Sequence, residues 1–65
     1  MNWDRIAGQW KQLKGSIKER WGDLTDDHIE QAEGQREKLV GIIQEKYGIA
    51  RDEAEKQVHD WESNL

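Results

Sequence analysis

The sequence of 65 residues permits one domain at most, and a chain of that length buries only about 60% of the surface that its unfolded form exposes. Apolar residues make up 34% and charged residues 37%, the mean hydropathy is −1.15, and cysteine is absent, which excludes disulfides and thiolate metal sites. A net charge of −4 opposes nonspecific attraction to nucleic acid or anionic lipid, no apolar run reaches the ~18 residues of a membrane span, and Met1 to Trp10 lacks the pattern of a signal peptide, so a cytoplasmic protein is expected.

With no proline and few β-branched residues, helix is expected throughout, interrupted only at the six glycines. Trp3, Ile6, Trp10, Leu13, Ile17, Trp21 and Leu24 recur every three or four residues, and on a helix they stay within an arc of about 80°. That stripe predicts one long amphipathic helix, with Asn2 as its N-cap, Asp4 in its first turn and Gly22 just past its end. Gly8, Gly15 and Gly22 fall nearly opposite the stripe, so they are not core spacers. Each costs roughly 0.5–1 kcal/mol relative to alanine inside a helix. Two readings follow: a close-approach surface for a partner, or a first helix that kinks, frays or divides at Gly8 or Gly15.

Thr25 is the expected N-cap of a short second helix, with Asp26 and Asp27 placing negative charge against its N–H groups and Ile29 and Ala32 on its inner face. Gly34 interrupts the pattern. Leu39, Val40, Ile42, Ile43 and Tyr47 then span a wider arc of roughly 160°, the signature of a central helix with neighbours on two sides, while Gly41 points the other way. Gly48 is placed to end that helix in the left-handed conformation, with Ile49 folding back on it. Ala50, Ala54, Val58, Trp61 and Leu65 form the stripe of the fourth helix, and Asp52, Glu53, Glu55, Asp60 and Glu62 lie outside it. Helices joined by such short connections must fold back on one another to cover their stripes. The expected fold is therefore all-α, a small four-helix bundle forming a single domain over residues 1–65. Its expected core comprises Trp10, Leu13, Ile17, Trp21, Leu39, Ile43, Tyr47, Val58 and Trp61.

Charge is unevenly shared. Residues 1–24 hold five Lys/Arg against three Asp/Glu, and residues 25–65 hold five against eleven, so the halves carry +2 and −6 and should attract one another, within one molecule or between copies. The acidic excess reads as a solvated face that favours solubility.

The hydroxyls of Ser16, Thr25, Ser63 and Tyr47 lack the context of an activated nucleophile, and Thr25 is accounted for as a cap. His28 and His59 have no metal-ligand spacing around them. Asp23, Thr25 and Asp27 imitate the opening of a calcium loop, but His28 stands where the turn requires glycine and Gly34 where the bidentate glutamate belongs. Neither a catalytic residue nor a metal or cofactor is expected. The remaining constellation is Lys11, Lys14 and Lys18, which border the tryptophan stripe and make the first helix basic and aromatic on adjoining faces. These lysines, with Gly8 and Gly15, are the candidate surface-binding residues. They offer an alternative role in binding nucleic acid or anionic membrane, which the acidic remainder of the chain opposes.

The runs Trp10-Lys11-Gln12-Leu13-Lys14-Gly15 and Trp21-Gly22-Asp23-Leu24-Thr25-Asp26-Asp27, then Glu33-Gly34, Leu39-Val40-Gly41, Tyr47-Gly48 and Ala54-Glu55 through to Trp61, resemble the bacterial CsbD-like family along essentially the whole chain. The resemblance implies a small protein of the general stress response with a fold of two roughly orthogonal helical hairpins. It carries no catalytic, cofactor or binding residue across to this sequence. Ala50 departs locally, since Ser, Thr or Asp would cap the fourth helix better. The resulting expectation is a monomeric, non-enzymatic protein that acts through its surface, as a protectant or toward a protein partner, with nucleic acid and membrane as less favoured partners.

Overall fold

The computed structural model describes residues 2–65. Among them the chain forms helices only: α1 (Trp3–Gly8), α2 (Trp10–Arg20), α3 (Asp26–Ala32), α4 (Arg36–Tyr47) and α5 (Arg51–Ser63). The long first helix of the sequence reading is thus two helices, divided at Gln9, whose φ of −109° and ψ of 17° end α1 and begin α2. Gly15, the other candidate breakpoint, lies inside an unbroken α2. The division turns α1 inward, burying Ile6 completely and setting Ala7 against the turn between α3 and α4.

Local chemistry explains most of the helix ends. Asn2 Oδ1 accepts the Arg5 N–H at 3.0 Å to cap α1. Thr25 caps α3, and His28 completes a capping box: Thr25 Oγ1 accepts the His28 N–H, while His28 Nδ1 accepts the Thr25 N–H, each at 3.2 Å. Gly48, at φ 61°, ends α4 and donates its N–H to Gln44 O. Ala50 gives α5 no side-chain cap, and Asp52 and Glu53 supply favourable charge in the first turn instead.

The end of α3 is less ordinary. Glu33 takes the left-handed conformation at φ 54° and Gly34 follows at φ 72°. A Cβ on Gly34 would lie 2.7 Å from both Cα and Cβ of Ala7, so this glycine permits the close approach of α1 to the α3–α4 turn. Neither Gly8 nor Gly15 has a neighbour within 4 Å of the position its Cβ would take. The close-approach glycine of this fold is therefore Gly34.

α2 packs on α3, α3 on α4 and α4 on α5, the last two helices forming a hairpin across Gly48. One continuous core joins all five helices, with Trp3, Leu13, Ile42 and Ile49 packed partly buried against it. No polar or charged residue is buried among the described residues. Two expectations need correction. Tyr47, expected in the core, is 36% exposed: it ends α4, and its hydroxyl reaches outward to accept the Asp23 N–H at 3.1 Å. Leu65, expected on the last stripe, is 41% exposed because α5 stops at Ser63. The Cα radius of gyration of 10.5 Å matches the ~10.7 Å of a well-packed chain of this length.

The tryptophans join the ends of the chain. The Trp3 ring lies 6.3 Å from Trp10 and 6.2 Å from Trp61, and Trp61 lies 5.9 Å from Trp21, all tilted. At ~25 cal/mol per Å², a largely buried indole contributes roughly 4–6 kcal/mol of transfer free energy as an upper bound. Their N–H groups are treated unequally. Trp10 Nε1 donates to Ile29 O at 2.8 Å, satisfying a carbonyl in the last turn of α3. Trp21 Nε1 donates to Gln57 Oε1 at 2.9 Å, and Trp61 Nε1 to Ser16 Oγ at 3.0 Å. Trp3 Nε1 is buried without a partner.

Two predictions follow from these contacts. Gly34→Ala should lower stability by about 2–4 kcal/mol through left-handed strain and overpacking against Ala7, whereas Gly15→Ala should raise it by roughly 0.5–1 kcal/mol; urea titrations followed by circular dichroism measure both. In the same assay Trp10→Phe should cost about 2–4 kcal/mol because it leaves Ile29 O unpaired. Trp3→Phe, which removes an already orphaned donor, should cost under about 1 kcal/mol.

Candidate interaction surface

The basic residues of α2 do not form an open patch. Lys14 Nζ is paired with Glu30 of α3, and Lys18 Nζ lies 3.0 Å from Asp26 Oδ1 at the start of α3. This is where the opposite charges of the two halves meet within one molecule. Lys11 makes no ion pair among the described residues and is exposed. The structure therefore separates Lys11 from Lys14 and Lys18 in role, although all three share one helix.

The aromatic part of that helix is equally committed. Trp10 and Trp21 are 9% and 1% exposed, so their rings are unavailable to stack on a base or enter a lipid interface. Arg20 instead lays its guanidinium over the outer edge of the core, with Cζ 5.2 Å from the Trp21 ring centroid. Gly8 and Gly15 are exposed on the far side of α1 and α2, and a Cβ at either would meet open space.

The far end of the molecule carries its own ion-pair network. Arg51 Nη2 lies 2.8 Å from Glu37 Oε2 and its Nε 3.1 Å from Glu55 Oε1, while Arg36 approaches Glu55 and Glu62 at 3.6 and 3.9 Å. These contacts fix α4 against α5 across the outer rim. Such exposed pairs contribute little to stability but help set the register of the helices they join.

Hollows in the surface are small. One of about 180 Å³ lies between α2 and α5, lined by Ser16, Arg20, Asp60, Trp61, Asn64 and Leu65. Another of about 150 Å³ lies between α3 and α4, lined by His28, Gln31, Ile42, Glu45 and Lys46. Both fall below the ~300–1,000 Å³ of typical small-molecule sites. Sequence reasoning did not single out the first hollow, since its two walls come from segments 40 or more positions apart and share no local motif. Among the described residues no three His, Asp or Glu side chains converge as metal ligands would, and no helix is long and apolar enough to cross a membrane.

Two carboxyls are perturbed. Asp26 is held below its ordinary range, first by the hydrogen bond from Lys18 and then by the Lys18 charge. Glu37 is lowered by the hydrogen bond from Arg51 and then by its charge, and the same bond raises Arg51. A carboxyl with a lowered folded-state pKa stabilises the fold above its unfolded value, and the benefit disappears as pH falls through the folded value. Stability from Glu37 should thus be fully present well above the reference value of 4.5 and decline below it. Glu37→Gln and Asp26→Asn should each make the acid limb of the urea-midpoint-against-pH curve shallower, and added salt should shrink the difference from wild type.

The profile of the CsbD-like family matches residues 4–56. Relatives resemble the chain over nearly its full length. A UPF0337 protein of Rhodopirellula baltica is 64% identical over 98% of this chain and 94% of its own. UPF0337 protein YjbJ of Escherichia coli K12 is 57% identical over 97% of this chain and 91% of its own. A UPF0337 protein of Pseudomonas aeruginosa is 55% identical over the whole of both chains.

Proposed function

Because this chain belongs to the CsbD-like family of bacterial stress-response proteins, we propose that it is a non-enzymatic protectant working through its hydrated, acidic surface rather than through a site. The observation that carries this reading is the sorting of side chains. Among the described residues no polar or charged residue is buried, and the large apolar side chains left exposed are Tyr47 and Leu65. The outer face is then mostly charged and amide groups, with a net charge of −4 that favours solubility. A surface of that kind holds water and separates neighbouring macromolecules without binding them tightly.

A role in nucleic-acid or membrane binding takes second place. The commitment of Lys14 and Lys18 to acidic partners on α3 and the burial of Trp10 and Trp21 weigh against it. Catalysis lacks support of the same kind, since the hollows are small and pair no nucleophile with a positioned base.

The test is recovery of a labile enzyme after repeated freezing or drying. Added in equal mass, this protein should preserve clearly more activity than an unrelated small acidic protein. Equal recovery would refute the protective role. A parallel titration with DNA and with anionic vesicles at low salt should show no binding; salt-sensitive binding abolished by Lys11→Glu would favour the second reading instead.

A further inference from the structure

We propose that α1 is exchangeable between two copies of this chain, Gln9 straightening so that α1 and α2 fuse into one helix and each copy's α1 fills the other's docking groove. This inference is independent of the protective role and would survive its failure.

The hinge is a single residue. Gln9 departs from helical φ and ψ values by only about 45–60° in each angle, and its carbonyl already accepts the Leu13 N–H at 3.0 Å as a helical residue would. The stripe of Trp3, Ile6, Trp10, Leu13 and Ile17 keeps one helical phase across that hinge. The apolar pattern of a continuous helix is therefore bent where tertiary contact and the weak helix former Gly8 coincide. At six residues α1 is too short to persist undocked by itself, so on release it either frays or extends α2.

The groove specifies its occupant. It is walled by Trp10, Trp61 and Gly34, and the left-handed Gly34 leaves room for a small side chain at the position of Ala7. The segment that fits is Trp3–Gly8, whether from the same copy or from another. Every contact of the closed form is re-formed in the exchanged dimer, so the two states differ in the hinge and in chain entropy. The buried, unpartnered Trp3 N–H weakens docking in both and makes release of α1 easier. Gly8 tips the balance toward the bent monomer, because glycine disfavours the straight helix and its open surroundings give it no packing role.

The test is to stiffen the hinge. Gly8→Ala with Gln9→Ala introduces no clash at Gly8 and should increase the dimer fraction about ten-fold or more over wild type at millimolar concentration, measured by size exclusion with light scattering. In a dimer refolded from mixed isotope-labelled chains, nuclear Overhauser effects should connect the Trp3 ring of one copy with the Trp61 ring of the other. Gly8→Ala alone should move the same way by a smaller factor, which keeps the test available should the double variant misfold. A folded monomer at millimolar concentration for either variant, or a dimer whose Trp3–Trp61 contacts remain within each chain, would overturn the proposal.

Discussion

The indole rings of Trp3, Trp10, Trp21 and Trp61 and their hydrogen bonds are the joint on which the other elements depend. Trp10 reaches 19 positions along the chain to Ile29 O, Trp21 reaches 36 to Gln57, and Trp61 reaches 45 back to Ser16. Each large ring removes far more apolar surface from water than an aliphatic side chain would, and its N–H then demands a partner at a defined place. In a chain that is 37% charged, few other residues could supply both area and direction. The same bonds explain why α3, only seven residues long, holds its last turn: Trp10 occupies a carbonyl that the helix itself has run out of donors to satisfy.

Around this joint the charges act as a fitted rim. Lys14 and Lys18 on α2 meet Glu30 and Asp26 on α3, and Arg51 links Glu37 on α4 with Glu55 on α5. The positive first part of the chain is thereby matched to the acidic remainder inside one molecule. What is left facing outward is predominantly acidic and polar, which suits a protein whose proposed action lies in its solvated exterior.

Glycine has two meanings here. At Gly34 a positive φ and the contact with Ala7 both require it. At Gly8 and Gly15 the surroundings are open, and the residue weakens a helix for no packing return. Where that weakness coincides with the hinge at Gln9, the fold acquires a movable first segment; at Gly15 the core contacts of Trp10 and Ile17 on either side keep α2 whole.

The sequence by itself determined the helical class, the inward stripes, the caps at Asn2, Thr25 and Gly48, and the family, because each is written in local spacing or in residue types whose preference is local. It placed Tyr47 inside since periodicity assigns a face but not a depth, and at the end of α4 that face already looks outward. A break near Gly8 was one of two readings the sequence left open; the choice of Gln9 over Gly15, the need for glycine at 34 and the pairing of Lys14 and Lys18 were decided only by tertiary structure. Each arises from segments meeting across the fold: α1 against the α3–α4 turn, and α2 against α3. A periodic stripe fixes which side of a helix seeks cover, and the neighbouring segment that provides it decides where the helix must break and which charges are used up.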